Sequence, residues 1–140
     1  MSPYTQNLAL ALCAAAVGQG LIALINLFLV RLLHWERDVE RMPLLVRQVF
    51  HVHGWFISVI LVTFATLTWR FADDFAIGCN PLAAWLAGCI AAFWGLRTVM
   101  QVAYYSREHW RGQPVRILIH VILLLVYGGF TATYALAAMR

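Results

Sequence analysis

Apolar residues run along this chain in four long stretches separated by short polar segments. A helix that crosses a bilayer needs roughly 20 mainly apolar residues, and Leu8 to Leu33, Gln48 to Trp69, Leu82 to Tyr105 and Ile117 to Met139 all reach that length. Nothing alternates with the period of a half-buried strand, and no internal repeat or low-complexity segment is present. The connections are an Arg-rich loop from His34 to Arg47, a turn around Asp73, Asp74, Gly78 and Pro81, and a second Arg-rich loop from Ser106 to Arg116 with Gly112 and Pro114. Connections this short force consecutive helices to run antiparallel. The pattern therefore predicts an all-α protein, an antiparallel four-transmembrane-helix bundle, with residues 1–140 forming a single integral membrane domain.

Composition agrees. Of 140 residues, 63% are hydrophobic and 11% charged, less than half the roughly 25% charged share of a soluble domain. A chain with so few polar residues needs lipid as part of its solvent, which excludes a soluble enzyme, a disordered tail and a disulfide scaffold. Cys13, Cys79 and Cys89 include no Cys-x-x-Cys pair, so zinc ribbons and thiol-redox centres are excluded as well. The first residues, Met-Ser-Pro-Tyr-Thr-Gln-Asn, lack the basic segment that precedes the apolar run of a secretory signal, so the first apolar stretch is expected to be a retained span.

Charge predicts which way the spans face. All 10 basic residues are Arg, and with 6 acids the formal charge is +4. Arg31, Arg37, Arg41 and Arg47 flank or occupy the first connection, and Arg97, Arg107, Arg111 and Arg116 the third. Only Arg70 and Arg140 remain for the other side. Basic residues concentrate in cytoplasmic loops, so the first and third connections are expected in the cytoplasm, and both termini and the second connection outside. Trp35, Trp69, Trp85 and Trp110 fall near span ends, where an interfacial aromatic belt would hold them. The glycines near the spans, Gly18, Gly20, Gly88, Gly95, Gly128 and Gly129, suit close helix contact better than a transport pathway. No basic soluble face is available for nucleic acid.

Polar residues within the spans mark the faces expected to point at protein, because a polar side chain facing lipid is costly. Gln19 and Asn26 share a face of the first span, as do Arg47, His51 and Ser58 on the second, with Trp55 beside them. Arg97, Gln101, Tyr104 and Glu108 follow helical spacing on the third. Gln113, Arg116, His120, Tyr127, Thr131 and Tyr134 extend along the fourth. Counting turns from the cytoplasmic ends places His51, Gln101 and His120 at one depth, with Arg97 a turn deeper. His34, Arg47, Tyr104, Tyr105, Glu108, His109 and Arg116 ring the mouth.

Three kinds of chemistry suit this layer. Two neutral imidazoles on different helices, His51 and His120, could ligate a metal or the iron of a b-type haem, with Arg47, Arg97 or Arg116 on its propionates. His53 lies on the other side of its helix from His51 and makes a poor second ligand. Arg97 could instead anchor the head of an anionic or quinone-like amphiphile, with Gln101, Tyr104 and Tyr105 as hydrogen-bonding neighbours. A proton or ion path is less well served, because no span carries an embedded acid. Against all three stands packing alone, in which His51, Gln101 and His120 hydrogen-bond one another to position helices, at about 0.6 kcal/mol per contact. His34 and His109 each sit beside a Trp in a charged loop, where solvation explains them.

Two resemblances bear on this. Arg97 with Tyr104 and Tyr105 on a third span resembles the microsomal glutathione transferase and leukotriene synthase family of four-span proteins, although the second span lacks the Asn and Glu that the family sets beside its Arg. Arg47-Gln-Val-Phe50 with His53-Gly54, Phe93-Trp-Gly-Leu-Arg97 with Gln101 and Tyr104, and Arg116 with His120 resemble a group of small uncharacterised bacterial membrane proteins. The second resemblance covers the last three spans and implies a location, the bacterial inner membrane, with no residue roles attached. The expected function is thus a redox-associated membrane subunit. It would bind haem b or a quinone through Arg47, His51, Arg97, Gln101, Tyr104, Arg116 and His120. The alternatives are a noncatalytic structural or assembly subunit of a larger membrane complex and a lipid-binding membrane protein. The bilayer is the first partner in each case, with complex subunits or a second copy of the chain as further ones.

Overall fold

The computed structural model describes residues 2–104 and 114–140, with side chains in the second stretch from Ile117 onward. Among these residues the chain is all-α, with seven helices and no strand: α1 (Pro3–Leu27), α2 (Leu29–Leu32), α3 (Glu36–Glu40), α4 (Leu44–Arg70), α5 (Ala72–Ile77), α6 (Pro81–Ala103) and α7 (Pro114–Ala138). Four of them, α1, α4, α6 and the Ile117–Ala138 part of α7, are long and apolar enough to cross a membrane. At 1.5 Å per residue, their 22 to 27 residues extend about 33 to 40 Å, beyond the roughly 30 Å of a hydrocarbon core.

The helix ends follow from local chemistry. α1 starts five residues before the apolar stretch that predicted it. Ser2 caps it, its Oγ accepting from the Thr5 backbone N–H at 3.2 Å, and Pro3 occupies the first position, where the missing N–H costs nothing. α6 repeats the device with Asn80, whose Oδ1 accepts from Leu82 N–H at 2.9 Å ahead of Pro81. After α2 the chain closes a Schellman turn: Trp35 N–H donates to the Val30 carbonyl at 2.9 Å and His34 N–H to that of Arg31 at 3.2 Å. His34 takes the left-handed conformation this requires, at φ 54°.

Two connections are more ordered than expected. The Arg-rich first connection contains α3, which buries Val39. The supposed turn at Asp73 and Asp74 is α5, a short helix with both acids in its first turn, where the helix dipole favours them, and with Ala72, Phe75 and Ala76 buried. A window of about 20 residues reads such a segment as polar because of its two acids and misses its three inward positions. The third connection, with Tyr105, Arg107, Glu108, His109, Trp110, Arg111 and Gln113, lies outside the described residues, as does the side chain of Arg116.

The chain divides into two compact units, Met1–Leu12 with Ala72–Arg140, and Cys13–Phe71. In the first, α6 and α7 pair antiparallel: Gly88 approaches Ala138, Gly95 approaches Thr131 and Gln101 meets His120, so one index falls as the other rises. The buried positions of α6 are Ala83, Ala87, Ile90, Trp94 and Gln101, and those of α7 include Tyr127, Phe130, Tyr134 and Ala137. Their alternating steps of three and four residues are those of a knobs-into-holes seam. Small residues keep the seam close. A Cβ added at Gly95 would sit 3.4 Å from Thr131 Cγ2, and one at Gly88 3.8 Å from Ala138 Cβ. The close contact expected of glycines occurs at these two positions, whereas Gly20, Gly128 and Gly129 have nothing within 4 Å of such an atom.

In the second unit α1 and α4 also run antiparallel, joined by a polar node. Asn26 Nδ2 donates to the Gly54 carbonyl and to Ser58 Oγ, both at 2.9 Å, and Ser58 Oγ lies 3.3 Å from the Ala23 carbonyl and 3.1 Å from that of Gly54. Ser58 is the residue through which the expected polar face of α4 becomes buried. All three cysteines are free thiols.

At the far end of the first unit, Gly78 follows α5 at φ +73°, and a Cβ there would collide with Arg140, while the Arg140 guanidinium lies over Tyr4 at 4.1 Å. Gly78→Ala is expected to lower thermal stability in detergent by roughly 1–2 kcal/mol from the left-handed backbone alone. Deleting Arg140 should recover only the contact part of that loss. Gly95→Leu should cost about 1–3 kcal/mol by forcing the seam apart; unchanged melting in circular dichroism would show that α6 and α7 do not depend on this approach.

Candidate functional site

The seam of α6 brings Trp94, Arg97 and Gln101 onto one face, because steps of three and four residues return to the same side of a helix. The facing side of α7 carries His120, Tyr127 and Phe130. Between them lies a connected polar group. Arg97 Nη1 donates to Gln101 Oε1 at 2.9 Å, one turn along α6, and Gln101 Nε2 lies 3.0 Å from His120 Nδ1 on α7. Gln101 is 3% exposed, while Arg97 and His120 are half-buried.

An aromatic wall holds the cation in place. The Arg97 guanidinium carbon sits 4.9 Å from the centre of the Tyr127 ring. That ring stacks on Trp94 at 5.2 Å, with 27° between planes, and Trp94 meets Phe130 edge to face at 4.8 Å. A guanidinium over an aromatic face gains about 0.5–1 kcal/mol when exposed and about 2 when desolvated. Trp94 and Tyr127 are nearly buried, which places Arg97 toward the upper part of that range. Among the described residues the Arg97 charge is held by an amide oxygen and a π face. Among the described residues no buried side-chain nitrogen or oxygen lacks a partner.

Of the residues singled out by sequence, Arg97, Gln101 and His120 come together. The hydrogen bond between Gln101 and His120 is the one that their equal depth on antiparallel helices leads one to expect. Tyr104 follows the same spacing on paper but is 81% exposed at the end of α6. Arg47, half-buried, and His51, exposed with its ring edge-on to Phe50 at 5.8 Å, belong to α4 in the other unit. His53 lines an open groove on α4 with Gln48, Val49, Val52 and Phe56. The side chain of Arg116 lies outside the described residues, and so does Tyr105. Among the described residues no three His, Cys, Asp or Glu side chains gather as a metal-binding group.

Trp94, which backs the Tyr127 ring, is the member of this group to which the sequence analysis gave no role. It was visible as an aromatic residue one turn before Arg97 and two before Gln101, but bulk apolar residues are too frequent in such a helix to stand out. No protein-family model matches the chain, and no curated protein or solved structure shows a significant match to it.

The group's contribution to stability is measurable. Gln101→Leu removes the partner of both Arg97 and His120, and loss of a buried hydrogen-bonding link costs about 1–3 kcal/mol. Asn26→Leu, which removes one amide from a node that keeps its Ser58 bonds, is expected to cost about 0.6 kcal/mol. Chemical denaturation in mixed micelles should rank the two variants in that order, and equal losses would argue that Gln101 is no more than an ordinary packing contact.

Proposed function

We propose that this chain is a multi-pass subunit of the bacterial inner membrane, redox-associated, which binds a quinone-like amphiphile or a b-type haem beside Arg97, Gln101 and His120. The observation that carries this reading is the continuous link from a guanidinium through a buried amide to an imidazole. It joins a fixed positive charge to a proton-carrying ring in the last turns of α6 and the first turns of α7. Near a helix end, such a group is within reach of the polar head of a molecule whose tail remains in hydrocarbon. Arg97 supplies charge for an anionic or carbonyl oxygen beside the His120 imidazole, and the buried Tyr127, backed by Trp94, holds the guanidinium in place. The proposed orientation places the first and third connections in the cytoplasm, following the distribution of Arg.

A second reading, a noncatalytic structural or assembly subunit, draws on one specific fact: the group already satisfies its buried members within α6 and α7. The two readings separate on ligand content. Protein purified in mild detergent is expected to carry quinone or anionic lipid by mass spectrometry, or a Soret band that shifts on dithionite reduction. Arg97→Leu should reduce the co-purified amount about tenfold, the loss of a charge-assisted hydrogen bond. A colourless preparation with identical lipid and quinone content in both proteins would leave only the structural role.

Orientation has its own test. Cys79, exposed between α5 and α6, should react with a membrane-impermeant maleimide on intact spheroplasts of a Cys13→Ser, Cys89→Ser strain. An Arg41→Cys, Cys79→Ser protein in the same background should react only after permeabilisation. The opposite pattern would invert the proposed topology.

A further inference from the structure

The bonds of Asn26 to Gly54 and Ser58, and of Ser58 to Ala23, place α1 against α4, and the two helices stay in contact from that node toward the end of α4. About 15 Å farther along α1, the small residues Ala16 and Ala65 leave a depression that bulkier side chains would fill. It is an open groove of about 470 Å³ lined by Ala16, Val17, Ala65, Thr66, Trp69 and Arg70, within the roughly 300–1,000 Å³ of ligand clefts. Ala16 is buried and Ala65 half-buried, so these two make its floor, while Val17, Thr66, Trp69 and Arg70 are exposed and make its sides. All these residues belong to one compact unit, Cys13–Phe71.

The groove is apolar along its length and cationic at one end. Thr66 returns its hydroxyl to the Val62 carbonyl at 2.8 Å, which leaves the Arg70 guanidinium, a fork of N–H donors suited to phosphate oxygens, as the strong polar group of the lining. Arg70 is the last residue of α4 and follows Trp69, a residue type that gathers where hydrocarbon gives way to head groups. Ala65 lies about 7 Å nearer the bilayer centre. Among the described residues the guanidinium meets the face of Phe71 at 5.1 Å, a contact that steadies the cation and supplies no anion. We propose that this groove binds an anionic phospholipid, of the phosphatidylglycerol kind, from the leaflet at the C-terminal end of α4. Arg70 takes the phosphate oxygens at head-group depth, and the first methylenes of an acyl chain lie over Ala16 and Ala65, beside Val17 and Trp69. The site is separate from the Arg97 group, which belongs to the other unit.

The test is native mass spectrometry of the full chain, delipidated in mild detergent and titrated with phosphatidylglycerol and phosphatidylethanolamine. The first phosphatidylglycerol is expected to bind about fivefold more tightly than phosphatidylethanolamine, the preference that one cation gives for a net negative head. Arg70→Gln should abolish the preference and weaken phosphatidylglycerol about tenfold, the loss of a charge-assisted hydrogen bond. Ala65→Phe, which fills the floor, should weaken both lipids alike while keeping the preference, and Ala65→Leu serves if the phenylalanine variant does not insert. Arg41→Gln, at an exposed arginine of the first connection, should change neither.

A basic residue in the last turn of a helix is also favoured by the helix dipole, an effect on the stability of α4 that carries no choice among lipids. Arg70→Gln that melts earlier but keeps the wild-type preference therefore overturns the proposal. Equal losses in Arg70→Gln and Arg41→Gln overturn it as well, since net charge alone would then govern binding. A dimer that excludes lipid in the wild type and is lost in Ala65→Phe would give the groove to a second copy of the chain instead. The same series in an Arg97→Leu background removes lipid held beside Arg97 from the count. An Arg70 effect that persists there supports a separate site, and one that vanishes overturns it, whatever ligand the Arg97 group holds.

Discussion

Every polar group carried by the long apolar helices of this protein has to find its partner within protein, because neither hydrocarbon nor a packed apolar core offers one. For the backbone, helix formation meets the demand automatically. For side chains it can be met in two ways, and the chain uses both. Thr63, Thr66, Thr98, Thr131 and Thr133 each return their hydroxyl to a carbonyl one turn back on their own helix. Gln19 does the same with its amide toward Ala15. The threonine hydroxyls cost little wherever they point, and these bonds specify nothing about neighbouring helices. Asn26, Ser58, Gln101 and His120 instead reach a second helix, and so they determine which turn of one helix lies against which turn of another.

That distinction explains why so few residues bear on the arrangement of α6 and α7. Apolar contacts along the seam are numerous but slide easily past one another, and between helices in lipid they lack the driving force of water exclusion. The small residues Gly88 and Gly95 let the two backbones approach, and the seam then buries Trp94 and Tyr134 almost completely. The hydrogen bond between Gln101 and His120 favours one register, since moving either helix by one turn would separate the two groups by about 5 Å. Packing and chemistry are therefore joined in the same few atoms. The bond that favours the register also ties the His120 ring to Gln101.

Arg97 occupies an unusual station in this scheme. A guanidinium in a long apolar helix is costly unless its charge is shared, and here it is shared by an amide oxygen and by the face of Tyr127, itself backed by Trp94. Neither partner is anionic, so the positive charge is held without being neutralised by them. The aromatic wall has two effects: it lowers the cost of keeping the cation, and it stiffens the side chain, so that Gln101 meets a donor in one direction only.

Much of this was legible in the sequence. Apolar run length by itself implied four long helices, because that property is local and additive along the chain. Their ends differed by a few residues wherever a cap decided them: Ser2 and Pro3 start α1 earlier than hydropathy suggests, and α5 hides in a segment whose two acids mask three inward residues. Depth was also legible, since residues equally far from the ends of antiparallel helices share a layer, and Gln101 with His120 followed from that count. Rotation was less so: Tyr104 obeys the same spacing as its buried neighbour Gln101 but lies just past the end of α6, where that face is no longer covered, and His51 is exposed on α4 although Arg47 on the same face is half-buried. The tertiary structure alone decided that Arg97 approaches Gln101 from one side and His120 from the other, and that Tyr127 lies under the cation. Those outcomes depend on three or four side chains being satisfied at once across two helices. A sequence pattern records which donors and acceptors are present, but not which of them face each other.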